Sequence, residues 1–325
     1  MWAVANKTPY AADRTWVRDK HGRHHWIVVV KGTFYVTPSS DLEVAADQRP
    51  PLLVPEYTGE DGLSSVRWEA DLGPMKPGTD VVAHGHARPP DGRPVPELAL
   101  SLCVNRQRKV LTARGDCVAG PLGRVRPQPF ASLPVVYERA FGGQDRSPLD
   151  PRKQRYDARN PVGVGFVQVD DDRALPNFVY PEQDPQRAGP AGFGPIASHW
   201  SPRAALAGTY DAKWLEERRP LLPVDYNDRF AMCAPQDQQF PSYLPVGSII
   251  ELVNVGERPA LKFALPALTI SMTTAFGPRK CAHSAQLVTV AIDADACEVM
   301  LVWQSSLPVP PRAVETLDET EVKVT

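Results

Sequence analysis

Histidine, serine and carboxylate side chains are the natural places to look for chemistry in this chain. His84 and His86 stand two apart in KPGTDVVAHGHA. On an extended strand that spacing puts both imidazoles on one face, which is how a zinc site begins. His21, His24 and His25 are available to complete it. No thiol or carboxylate is placed beside the pair by spacing, so it reads as a polar strand face and no metal is expected. Ser198, His199 and Asp211 can be written as nucleophile, base and orienting acid. A triad is defined by geometry, however, and the G-x-S-x-G elbow that presents such a serine is missing. No catalytic residue is assigned. Asp170, Asp171 and Asp172 form an acidic run without the spaced oxygen ligands of a calcium loop. The glycines of GVGF and AGFGP lack the lysine of a phosphate loop. These residues call for no cofactor. The competing enzymatic reading is a carbohydrate-active or other hydrolytic β-sandwich with an aromatic-lined cleft; a pocket with paired carboxylates, or a metal at His84 and His86, would favour it.

Composition narrows the classes further. The 325 residues carry a formal net charge of −2, and Lys and Arg are scattered. Neither a nucleic acid nor an anionic membrane surface is expected as a partner. The five cysteines, Cys103, Cys117, Cys233, Cys281 and Cys297, are odd in number and form no CxxC pair. Reduced thiols in a cytoplasm fit better than a disulfide framework. The first 16 residues show no basic stretch leading into an apolar one, and no apolar run reaches about 18 residues, the length a spanning helix needs. A cytoplasmic protein is expected.

The elements that must position any site read as mainly β. HHWIVVVKGTFYV (24–36) is the clearest strand, with a hairpin partner around Trp16 across the DKHGR turn. Strand patterns recur at 64–72, 76–87, 94–104 and 108–116, then again at 247–255, 260–266, 268–274, 285–293 and 297–304. The last two flank DADA, a hairpin turn. Helix is scarce: Thr209 or Asp211 caps a short one through Trp214 to Arg218, stopped by Pro220, and a turn falls near Asn227–Met232. Two packed β-sandwich-like regions are expected, at 1–126 and 246–307. A shared rhythm between 76–104 and 245–272 raises the question of a duplication. The tail, 308–325, is Pro-rich and then acidic, and is expected to be poorly ordered or a short docking arm.

Between the two regions, 127–245 forms a loop-rich belt. Seventeen of the 35 prolines fall there, which rules out central strands and long helices. Large aromatics recur every few residues, unlike the composition of a disordered linker. Loops fastened to a scaffold are where binding surfaces concentrate. Trp, Tyr and Arg anchor protein interfaces most often, so the candidate partner-contacting residues are Phe193, Trp200, Arg203, Tyr210, Asp211, Trp214, Asp237 and Gln238. The alternative for each is internal: it pins the belt, with Asp237 and Gln238 satisfying otherwise unpaired amides.

The belt motifs PFASLPVVYERAFGG, NPVG-x-GF, LPN, PAGFGPI-x-x-x-W-x-PR, GTYD-x-x-W and APQDQQ carry a resemblance that extends to KGTFYV and DLGPMKPGTDVVAHGHA. The chain resembles an uncharacterised bacterial "domain of unknown function" family encoded beside type VI secretion spike and PAAR-effector genes. The resemblance implies a non-catalytic adaptor or chaperone that binds a type VI effector or PAAR-domain protein and loads it onto the VgrG spike.

Overall fold

The computed structural model describes residues 2–120, 123–124, 126–146, 148–166 and 173–324. The acidic run Asp170–Asp172 lies outside them. The longer strands are β1 (Ala3–Asn6), β2 (Ala11–Arg18), β3 (His24–Val36), β4 (Thr79–His84), β5 (Glu97–Val104), β6 (Gln107–Arg114), β7 (Gln239–Phe240, short but structurally important), β8 (Ile249–Val253), β9 (Ala260–Ala264), β10 (Ile270–Phe276), β11 (Arg279–Ser284), β12 (Gln286–Asp293), β13 (Glu298–Val309) and β14 (Leu317–Val324). The fold is mainly β, as the strand patterns imply.

Three sheets carry the core. The largest has the order β7-β4-β12-β13-β3-β2, with Leu42–Val44 added to β3. Its longest ladder pairs β3 with β13 from Glu298↔Tyr35 to Val309↔His24. A second sheet runs Phe178–Val179, β6, β5, β8, β9, and a third runs β1-β14-β10-β11. Strands from before Pro127 and from after Pro245 therefore lie side by side in each of these sheets, and the two regions share them instead of forming separate halves. The repeated rhythm does not mark equivalent units either: β4 belongs to the large sheet and β8 to the second.

One contiguous core lies between the sheets. Val28, Val30 and Trp303 of the large sheet meet Leu100, Leu111 and Phe263 of the second and Met272 and Val322 of the third. The opposite face of the large sheet is buried too, under Leu52, Trp68, Leu72, Ala234 and Tyr243. A strand buried on both faces reads as a continuous apolar run, which is why WIVVV does not alternate. The belt and the segment before β4 thus form an added layer over that outer face.

The tail departs from expectation. β14 pairs in parallel with β1 and antiparallel with β10. Leu317, Thr320 and Val322 are fully buried, and Thr320 Oγ1 accepts from Trp26 Nε1 at 2.9 Å. Between the acidic residues the segment still presents one apolar face, and that face closes the core. The strand expected at 64–72 shrinks to Val66–Trp68 because Asp71 turns inward to Lys31 Nζ, 2.8 Å away. Placing a carboxylate at the β14 core position, Val322→Asp, is expected to cost on the order of 3 kcal/mol; urea unfolding of the full-length variant measures it, and an unchanged midpoint would mean that β14 is dispensable.

Candidate functional site

The belt's motif residues are chiefly engaged with one another and with the edge of the large sheet. Strand β4 has β12 on one side; on the other, β7 covers only Thr79 and Asp80. Beyond β7 the edge is closed by the belt itself. Gln238 Nε2 donates to Val81 O at 2.7 Å and to Phe193 O at 2.9 Å, and Ala83 N donates to Phe193 O at 3.1 Å. Lys109 Nζ, from the second sheet, donates to Gln238 Oε1 at 2.8 Å and to Asp237 Oδ1 at 2.9 Å. A single amide side chain thereby ties both major sheets to the belt. Burial lowers the Lys109 pKa, with Asp237 opposing that shift.

The remaining motifs lock by close backbone approach. Gly143 N donates to Asn160 O at 2.7 Å, and Asn160 Nδ2 donates to Tyr137 O and Phe141 O. A Cβ on Gly143, which has φ +81°, would lie 2.1 Å from Gly163 O, so the AFGG and NPVG segments can cross there only as glycines. The Tyr137 hydroxyl donates to Gly194 O at 3.0 Å, and its ring meets Trp200 edge-on at 5.7 Å.

Behind this layer lies a buried ionic cluster. Lys76 Nζ donates to Asp80 Oδ2 at 2.7 Å and Thr289 Oγ1 at 2.9 Å, with Cys233 Sγ 3.4 Å away. Asp80 Oδ2 also accepts from Cys233 N at 2.8 Å, pinning the belt main chain. Burial alone would lower the Lys76 pKa, but the Asp80 charge outweighs it and the ammonium is held protonated. Burial pushes the Cys233 thiol up despite Lys76, so it is neutral and no thiolate nucleophile. The neighbouring cavity, bounded in part by Lys31, Asp71, Lys76 and Cys233, measures about 20 Å³. That is room for one water and far too little for a substrate.

The eight candidate residues therefore divide. Phe193, Trp200 and Gln238 are at most 2% exposed and offer a partner no surface; they pin the belt. Arg203 is buried as well, donating to Ile196 O and Phe230 O and ion-paired with Glu69. Asp237 is exposed but held by Lys109. Asp211 caps the helix Ala212–Glu217 by accepting from Trp214 N at 2.8 Å, as its position before that run implies. Tyr210 and the half-buried Trp214 meet edge-on at 4.6 Å. Beside them Leu215 and Val224 are exposed, residues the motif reading missed because exposure of a lone aliphatic has no sequence signal.

Two of the concave sites bear on function. One, of about 240 Å³, lies between 196–206 and 229–239 and is lined by Pro202, Arg203, Leu206, Arg229, Met232 and Gln239, among others. The other, a cleft of about 710 Å³, includes Asp116 and Glu138. Glu138 is held through both oxygens by Ser65 and Thr58, and Asp116 through Oδ1 alone by Arg139 and Asn177. The histidine pair is separated by a break at Gly85, φ +151°. His84 packs edge-on against Trp68 at 4.7 Å, while His86 Nδ1 lies 2.7 Å from Asp295 Oδ2. Ser198 and Asp211 are not joined through His199, whose Nε2 accepts from Trp200 Nε1 at 3.0 Å. Among the described residues no cluster of three or more metal-binding side chains forms, and no helix is long and apolar enough to cross a membrane.

The family model DUF2169, described as an uncharacterized protein conserved in bacteria, matches residues 21–304, most of the chain. No curated protein and no solved structure matches it.

Two measurements check the pinning. Gln238→Ala leaves Val81 O, Phe193 O and Lys109 Nζ short of partners and is expected to cost about 2–3 kcal/mol in denaturant unfolding; a change below about 0.5 kcal/mol, the usual scale of surface substitutions, would contradict the latch. Burial, helped by Arg67, depresses the His84 pKa from 6.5 to about 4. The folded state thus binds fewer protons than the unfolded one between these values. The stabilising term is whole above pH 6.5 and is lost as pH falls towards 4. His84→Gln is expected to flatten the fall in Tm across that window; an unaltered pH dependence would contradict this placement.

Proposed function

The chain belongs to the DUF2169 family, and on that premise we propose that it is a non-catalytic adaptor that holds another polypeptide. In this reading it is a cytoplasmic bacterial chaperone for a type VI secretion effector or PAAR-domain protein, which it passes to the VgrG spike. The observation that carries the reading is the surface left after the belt has pinned itself. Tyr210, Leu215 and Val224 expose 53%, 54% and 71% of their area on the 209–225 segment that contains the helix Ala212–Glu217. That segment is held rigidly: Thr209 bonds both oxygens of Asp225, and Trp214 Nε1 donates to Leu221 O at 2.8 Å. Exposed apolar side chains on one hydrogen-bonded segment support docking of a protein partner. The resemblance of the belt motifs to an adaptor family encoded beside spike and effector genes supports the finer identity of that partner.

Hydrolysis is the second reading, favoured by the cleft that contains Asp116 and Glu138. It ranks lower because Glu138 accepts through both oxygens from Ser65, and Asp116 through one from Arg139 and Asn177, which leaves no pair of free carboxylates to act as general acid and base. Loss of a hydrolytic activity in Asp116→Asn would raise it.

The adaptor reading predicts that the tagged chain, co-expressed with the effector and PAAR genes beside its own, co-purifies with one of their products. Tyr210→Ser combined with Val224→Asp is expected to weaken that complex at least tenfold, roughly the loss of one or two interface anchors, while leaving Tm unchanged. Recovery of no effector, spike or PAAR protein by the unaltered chain would contradict it.

A further inference from the structure

The pocket of about 240 Å³ next to the exposed patch has a chemical bias of its own. Ile196, Pro202, Leu206, Met232 and Ala234 give it apolar walls, with Gln236 and Gln239 as uncharged polar lining. No carboxylate lines it; its charged groups are Arg203 and Arg229. The two guanidiniums are in different states. Arg203 is neutralised by Glu69 and spends further donors on Ile196 O and Phe230 O. Arg229 is exposed, and its guanidinium donates to an uncharged acceptor, Gln239 Oε1, at 3.0 Å. Gln239 is itself fixed, its Nε2 donating to Ala234 O at 2.8 Å. Among the described residues no carboxylate pairs with Arg229. A positioned guanidinium with donors to spare, beside apolar walls, suits a carboxylate on a short aliphatic stem.

The pocket also continues into the patch. Asn227 N donates to Leu206 O at 3.0 Å and Thr209 N to Asp225 Oδ1 at 3.0 Å, so the two segments run side by side from the pocket to Tyr210 and Val224. A chain lying on the patch would carry on past the pocket, which favours an internal residue over a chain end. We propose that this pocket receives the side chain of an internal glutamate of the partner polypeptide, its carboxylate on Arg229 and its methylenes against Leu206 and Met232, with apolar neighbours of that glutamate on Tyr210 and Val224. The proposal rests on the polypeptide-binding reading above and names the recognition element for it.

The test uses the full chain and two fluorescein-labelled, acetylated and amidated twelve-residue peptides of alternating leucine and serine. One has a central glutamate and the other a glutamine in its place. Fluorescence polarisation is expected to show the glutamate peptide binding about tenfold more tightly, the scale of one charge-assisted hydrogen bond. The preference should shrink with added salt and vanish in Arg229→Gln, whose exposed site leaves Tm unchanged. Equal binding of the two peptides, or a preference that survives Arg229→Gln, overturns the proposal while leaving polypeptide capture standing. Binding of neither peptide at millimolar concentration overturns both.

Discussion

Main-chain amides and carbonyls covered by other layers must find hydrogen-bond partners, and this constraint governs how the belt sits on the large sheet. A proline-rich segment cannot answer it by joining a ladder, because each proline removes a donor. Side chains answer it instead. Gln238 serves the carbonyls of Val81 and Phe193, and Asp80 takes the amide of Cys233. Both acceptor groups are in turn held by buried lysines, Lys109 and Lys76. Buried charges of this kind contribute little net stability, yet removing one partner is costly. Their effect is to make one seating of the belt far better than its neighbours.

That seating decides what surface is left for function. The glycine crossing of Gly143 with Gly163, the Tyr137–Gly194 bond and the Trp200 contact are spent inside the molecule. The motifs most distinctive in sequence are therefore the joints of the scaffold. Among the residues that face outward are Tyr210, Leu215 and Val224, on a segment closed by the Thr209–Asp225 and Trp214–Leu221 bonds, with a pocket beside it. A rigid apolar patch loses little entropy on binding, which favours capture of a partner by few contacts.

Much of the fold was legible. The β2–β3 and β12–β13 hairpins, the helix cap at Asp211 and the turn near Asn227 follow from residue pattern alone, because each depends on neighbours in sequence. The sheet order was not, since β4 pairs in parallel with β12 across about two hundred residues and nothing local encodes that choice. β14 was hidden by its acidic residues, although Thr320, Val322 and Val324 keep strand spacing. At the site, residue type alone could not separate anchors that face a partner from anchors that face the core. Trp200 and Tyr210 look alike as candidates, and only the tertiary structure makes one fully buried and the other half exposed. Arg229 escaped notice because its significance lies in lacking a carboxylate, a property of its surroundings.

Hydrogen–deuterium exchange of the chain, alone and with the co-expressed effector, tests the central division most directly. The account predicts that amides at 192–200 and 233–239 exchange in the free chain as slowly as those of the large sheet. On complex formation, new protection should fall on 204–230. Fast exchange at 192–200 and 233–239 in the free chain, with protection gained there on binding, would contradict it.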